Sequence, residues 1–331
     1  MITGGGGLIG SRIARLLSRV EARVTVLDRL DAYPDPVHKL FGLDSLDVEL
    51  VVGDICERAL LRRVLGGADY VVHAAAYADV AACTRHPGIA FAANVRGTQT
   101  VLEEVAASRA RRLVFASSAA VYGSGGLESS GPQRFSEEQP LVPISVYANS
   151  KLWAEHQIRL LLGAPGGPEY TVLRYFSVYG DPQVPKVGSH SWMVAWLAMH
   201  ARVGLPLRLN GGGGQVRDLV HVEDVAEATV LALVEPAAAG QTINVGTGKP
   251  TSVRRVAELV AAHYPEATFV ETPRPAGDPL GGYADTTRAD RLLRWRPRFD
   301  VRGGVARYVR WLTETPHAVP DWLTAGSSAL N

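Results

Sequence analysis

The chain has 331 residues, enough for one large or two modest hydrophobic cores. Basic and acidic residues number 34 and 33, a formal charge of +1, so nothing marks a nucleic acid or a membrane surface as a partner. No apolar run approaches the roughly 20 residues of a membrane span. The start Met1-Ile-Thr-Gly4 carries no charged leader, and Cys56 and Cys83 form neither a metal spacing nor a disulfide framework, which suits reduced thiols in the cytoplasm.

The first element is a glycine turn. Gly4, Gly7 and Gly10 follow the G-x-x-G-x-x-G spacing and open into a helical pattern over Leu8–Arg19. Glycine lets the backbone approach a pyrophosphate, whose charge then rests at a helix N-terminus, against Gly4, Gly7, Leu8 and Ile9. Only Ile2 and Thr3 precede the turn as strand, so residues upstream of Met1 are expected to be missing from this numbering. A second strand, Arg23–Asp28, ends in a carboxylate about twenty residues on, where a ribose 2′-hydroxyl is bound. Asp28 repels a 2′-phosphate and favours NAD over NADP, with Arg29 next door pulling the other way. Glu49–Val52 is the next strand, followed by Asp54 and Ile55, placed to meet an adenine. A helical pattern over Cys56–Leu65, a strand at Tyr70–His73, a helix over Ile89–Ser108 and a strand at Leu113–Ser117 complete an alternation that implies βαβ units.

Gly123–Pro143 reads as a surface loop rich in Gly, Ser, Glu and Pro. Next comes Ser145-Val-Tyr147-Ala-Asn-Ser-Lys151, which places a phenol and an ammonium four residues apart on one helical face. A phenol near pH 10 is a poor base at neutrality. Each pH unit of depression requires about 1.4 kcal/mol, so bringing Tyr147 near 7 requires roughly 4 kcal/mol, within reach of Lys151 plus a cationic cofactor ring. Tyr170–Arg174 is a further strand. The fold expected is α/β, a Rossmann-type doubly wound parallel sheet over 1–176 with 215–247 returning to it. Segments 177–214 and 248–315 form a smaller discontinuous C-terminal substrate lobe, and 316–331 a peripheral tail.

With Leu113-Val-Phe-Ala-Ser-Ser118-Ala-Ala-Val-Tyr-Gly123, Tyr147/Lys151, Leu173-Arg-Tyr-Phe-Ser-Val-Tyr-Gly180, Gly213-Gly-Gln-Val-Arg217-Asp-Leu-Val-His-Val-Glu-Asp224, Asn244-Val-Gly-Thr-Gly248 and Tyr283-Ala-Asp285, the chain resembles the extended short-chain dehydrogenase/reductases. Within them it is similar to the nucleotide-sugar epimerase/dehydratase family, from Ile2 to about Tyr308. The resemblance implies Ser118, Tyr147 and Lys151 as catalytic residues, with Lys151 also holding the nicotinamide ribose of NAD. It places Ala74, Ala75 and Ala76 along the pyrophosphate and Asn94 as a brace for that loop, with His73 a satisfied strand-end histidine. It gives Arg217 the substrate diphosphate, with Arg274 as a second arginine displaced by one residue because Pro275 occupies the usual position. Ser177 replaces an asparagine in the substrate contact.

Family 4,6-dehydratases carry an Asp-Glu pair where Ala119 and Ala120 stand, and decarboxylases a glutamate at Ala120. Neither alanine moves a proton. The chemistry left is a 4-epimerisation of UDP-linked hexoses. The rivals are a decarboxylase or 4-ketoreductase on the same scaffold, or a non-catalytic NAD-binding regulator. Gly282 falls where some members have a tyrosine crowding the sugar, which implies room for a 2-acetamido group or else a simple turn glycine. The family also implies a homodimer through Ile89–Ser108 and Tyr147–Leu162.

Overall fold

Short runs rich in β-branched and aromatic residues build the central sheet. The computed structural model describes residues 1–128, 131–164, 166–186, 189, 191–274 and 278–324. From edge to edge, the strands are Gln241–Val245, Glu169–Tyr175, Arg112–Ser118, Tyr70–His73, Ile2–Thr3, Thr25–Asp28 and Glu49–Val52. Every pairing is parallel. Parallel strands are covered on both faces, which explains near-continuous apolar stretches such as Leu113-Val-Phe-Ala. Short as it is, the Ile2–Thr3 strand pairs on both sides, with Ile2 opposite Val26 and Val72.

Helices cover both faces. Ile13 and Ala14 of the helix Leu8–Ser18 pack with Val225 and Ala228 of the helix Val222–Val234 on one side. Leu61, Leu102, Val105 and Ile158 fill the other. A third core gathers Val194, Leu197, Val256, Val260, Val305 and Leu312 into a smaller lobe. Its two- and three-stranded sheets include Val216–His221, which pairs parallel with Ser177–Tyr179 and antiparallel with Pro250–Ser252. Of the segment expected to return to the large sheet, then, the helix Val222–Val234 and the strand Gln241–Val245 do so, whereas Val216–His221 joins the lobe.

Three further expectations change. The helix expected over Ile89–Ser108 is an α turn at Pro87–Ala90, a π segment at Phe91–Gly97 and an α-helix at Thr98–Ala106. Such wide turns re-aim side chains, and here Asn94 sits inside one. The loop expected over Gly123–Pro143 contains the strand Gly131–Phe135, paired parallel with Gly282–Ala284, because Phe135 is apolar and buried. The tail is not wholly peripheral either, since Ala318 and Leu323 lie in the core of the smaller lobe. Leu323→Ala should therefore lower the unfolding free energy by about 2 kcal/mol or more. Urea denaturation measures this, and an unchanged midpoint would return the segment to the surface.

Candidate active site

The Tyr70–His73 and Thr25–Asp28 strands flank the central Ile2–Thr3 strand, so the chain's winding reverses there. Open parallel sheets bind ligands in the crevice at such a point, outside the strands' C-terminal ends. The glycine turn lies at that end. Gly4 has φ +72°, and a Cβ on it would stand 2.5 Å from the Ala75 nitrogen, so only glycine fits between turn and neighbouring strand. At Gly7 the nearest such contact is the Gly4 carbonyl at 3.6 Å, which leaves room for a ligand to approach the helix N-terminus beside Leu8 and Ile9. The Asp28 carboxylate accepts from the Gly6 and Leu30 amides, both at 2.8 Å, and is thereby fixed against the turn. Arg29 is engaged by Asp31 and, at 3.3 Å, by Asp54, so its charge is already matched by acids. Asp54 also accepts from the Cys56 amide at 2.8 Å, and Ile55 is buried against Gly97.

Ala74 and Ala75 are tied to Thr3, Ala74 through its amide to the Thr3 carbonyl at 3.0 Å and Ala75 through its amide to the Thr3 hydroxyl at 3.4 Å. Ala76 continues this half-buried run. Asn94 clamps the backbone of Tyr77, accepting from its nitrogen at 2.7 Å and donating to its carbonyl at 3.1 Å. It also donates to the Ser150 hydroxyl at 3.2 Å, joining the cofactor loop to the Tyr147 helix. His73 bonds Thr3 at 2.7 Å and Thr98 at 3.0 Å. Burial, with Lys151 nearby, pushes it down to about 3, so it is a neutral structural group. A carboxylate fixed for a ribose, an open helix N-terminus and a glycine turn fit a dinucleotide.

The helix Val146–Leu161 begins at Ser145, whose hydroxyl accepts from the Ala148 amide at 3.1 Å. It brings the expected pair together. The Lys151 Nζ lies 5.8 Å from the Tyr147 ring centre and donates to the Ala116 carbonyl at 2.7 Å. Ser118 caps the short helix Ala119–Tyr122 through the Ala120 amide at 3.1 Å and also hydrogen-bonds the Tyr147 phenol. The electrostatics depart from the expectation. Burial pushes Tyr147 up to about 12, against the Ser118 hydrogen bond, which pulls it down. Burial also lowers Lys151 to about 8, with Cys83 and Glu155 resisting. The ammonium is engaged by a carbonyl, and for each group burial outweighs what the neighbouring hydrogen bonds and charges return. The phenol is not depressed by these side chains alone.

In the smaller lobe Arg217 donates to the Val216 carbonyl at 2.8 Å and faces Asp278 at 3.5 Å. Arg274 donates to the Asp278 carbonyl and holds its carboxylate at 3.9 Å, so both expected arginines converge on one residue. Pro275 lies outside the described residues. Ser177 stands opposite Leu219 at the start of its strand. Gly282 has a structural cause. A Cβ there would lie 2.4 Å from the Gln133 carbonyl and 2.8 Å from the Phe135 ring, so strand packing rather than an open sugar wall accounts for it.

Several working residues escaped the sequence reading. Asp218, next to Arg217, accepts from the Thr247 amide and hydroxyl, the Gly248 amide and the Ala284 amide. Glu155 is fully buried and holds Arg174 through both oxygens, at 3.0 and 2.7 Å. The signal for Glu155 was available: it continues the Tyr147–Lys151 face by one more helical turn.

Residues 1–246 match the family model described as the NAD dependent epimerase/dehydratase family. A UDP-glucose 4-epimerase from Azospirillum brasilense is 34% identical over 99% of this chain and 96% of its own length. The chain belongs to this family. Its cofactor is NAD and it is an enzyme. Among solved structures, a UDP-glucose 4-epimerase with UDP-glucose from Thermotoga maritima aligns with a TM-score of 0.85 at 28% identity, covering 95% of this chain and 98% of that one. A Thermus thermophilus UDP-glucose 4-epimerase complex with NAD gives 0.82 at 30% identity, covering 93% and 97%. No helix among the described residues is long and apolar enough to cross a membrane. The packing of Gly282 has a direct test. Gly282→Tyr should destabilise the fold by about 1–3 kcal/mol through overpacking. An unchanged thermal midpoint would mean that a side chain at 282 points into open space.

Proposed function

We propose that the protein is an NAD-dependent 4-epimerase of UDP-linked hexoses. The observation that carries this reading is the grouping of Tyr147 and Lys151 on one helix with Ser118 at the end of the strand whose Ala116 carbonyl holds Lys151, with alanine at both 119 and 120. NAD, when bound, accepts a hydride from the sugar, returns it, and adds a positive charge near the phenol. Tyr147 takes the proton of the C4 hydroxyl and gives it back to the same oxygen once the 4-ketose has turned over and presented its other face for reduction. Ser118 holds the reacting oxygen by a hydrogen bond. Lys151 supplies the cation that favours phenolate. Arg217 and Arg274, already facing one carboxylate at Asp278, hold the diphosphate through which both ring orientations stay tethered. Because Ala119 and Ala120 carry no proton, elimination and decarboxylation lack their acid. Gly282 is explained by packing, so the substituent at the sugar's C2 is left out of the reading.

Purified protein should contain NAD and interconvert UDP-glucose and UDP-galactose without net NADH formation. Tyr147→Phe should lower kcat by about 10²–10⁴-fold, the range of a lost general base. NMR of the sugar nucleotides measures both. Bound NAD with no interconversion of any UDP-hexose pair would overturn the reading, and carbon dioxide from UDP-glucuronate would install the decarboxylase instead.

The same reading includes a homodimer. Ile89 and Phe91 on one segment, with Val146 and Leu160 on the catalytic helix, are large apolar residues left exposed, Phe91 at 60% and Leu160 at 72%. Val146, Trp153 and Leu160 repeat every seven residues, and Val146 and Trp153 line a groove with Pro87, Ala90 and Phe91. Contiguous apolar surface of this kind suits a second copy packed helix on helix. Phe91→Glu should convert a dimer to a monomer in sedimentation velocity. A wild-type monomer at micromolar concentration would remove the proposal.

A further inference from the structure

The buried face of the catalytic helix does not end at Lys151. Glu155 lies one turn further on, and its carboxylate is enclosed by partners from three elements. Oε1 accepts from the Ser117 hydroxyl at 2.6 Å and from Arg174 Nε at 3.0 Å. Oε2 accepts from Arg174 at 2.7 Å and from Arg159 at 3.2 Å. Ser117 immediately precedes Ser118, and it stands opposite Arg174 in the strand register. Arg174 continues outward to the Tyr122 hydroxyl at 3.0 Å, and Tyr122 to the Asn244 side chain at 2.6 Å. A buried ion pair of this kind contributes little net stability, yet removing one partner is costly. Such a pair is retained for what it holds in place, and two of the elements that it joins, the Tyr147 helix and the Arg112–Ser118 strand, carry the catalytic groups.

We infer that the Glu155–Arg174 pair is the positioning element of the active site. It locks the helix face bearing Tyr147 and Lys151 to the strand end bearing Ser118, and its carboxylate is the counter-charge that keeps Lys151 an ammonium. The inference rests on the catalytic reading of those three residues. The groups facing Lys151 are Tyr147 and Glu155 on its own helix, His73 on the neighbouring strand and Cys83 on the helix Val80–Arg85. The groups facing Glu155 are Arg174, Arg159 and Ser117. His73 and Cys83 are neutral near pH 7, so Glu155 is the group among these that carries a fixed negative charge. Burial lowers Lys151 below the ordinary lysine value, and Glu155 opposes that fall. Loss of the carboxylate therefore moves the point at which the ammonium is lost further down, toward neutral pH.

The test uses the NAD-loaded enzyme with lysine labelled at the ε-carbon. Lys39, Lys186 and Lys249 are the only other lysines, so Lys151→Arg assigns the resonance. The double variant Glu155→Gln/Arg174→Met exchanges the pair for neutral groups of similar volume and avoids a stranded charge. It should fold and lose about 10²-fold in kcat with KM little changed, whereas Glu155→Gln alone, which keeps Arg174, should bind the Lys151 proton about tenfold less tightly. Glu155→Asp keeps the charge but shortens its reach, so it should leave the Lys151 titration near that of the wild type while still lowering kcat. A folded double variant with wild-type kcat, or an unmoved Lys151 titration in Glu155→Gln, would overturn the inference. An inactive wild type would refute the epimerase reading instead, and the lysine titration would still decide on the counter-charge.

Discussion

A lysine ammonium held out of water is the constraint around which this protein is arranged. Lys151 reaches through the catalytic helix to the Ala116 carbonyl, over the Phe115 ring and beside Tyr147. An isolated buried charge is expensive, and such a group gives up its proton unless hydrogen bonds and opposite charge compensate. The carbonyl supplies one donor's satisfaction and Glu155 the opposing charge. The surrounding architecture, from the register of the Arg112–Ser118 strand to the salt bridge with Arg174, keeps those compensations in place.

The phenol and the ammonium are both pushed toward their neutral forms by burial. That shared direction divides the work between protein and cofactor. The chain supplies geometry, a hydroxyl from Ser118 and a retained cation, while the remaining depression of the phenol falls to the positive charge that NAD brings.

Much of this was legible in the sequence. Strands such as Tyr70–His73 and Arg112–Ser118 stand out as apolar runs because a central parallel strand buries both faces. The glycine turn, Asp28 and the Tyr147–Lys151 pair were read from local spacing and Asn94 from the family resemblance, and the structure gives each a defined set of neighbours. What escaped depends on partners remote in the chain. The π turn around Asn94 has no periodicity of its own to announce it. Asp218 reads as one more acid in a strand until four donors from two distant segments close on it. Gly282 suggested an open wall because a missing side chain says nothing about which neighbour occupies its direction. The rise in the Tyr147 pKa was missed because burial, which no short motif records, outweighs the Ser118 hydrogen bond.

The pairing of Gly131–Phe135 with Gly282–Ala284 joins segments from opposite halves of the chain. Closing so long a loop costs entropy before any contact repays it. The five strands before residue 120 are built from neighbouring strand–helix units and close over shorter loops, whereas the far edge of the same sheet waits for Gln241–Val245. A chain still emerging from the ribosome can thus pair the strands around its glycine turn before the segments that complete the sheet and the smaller lobe exist.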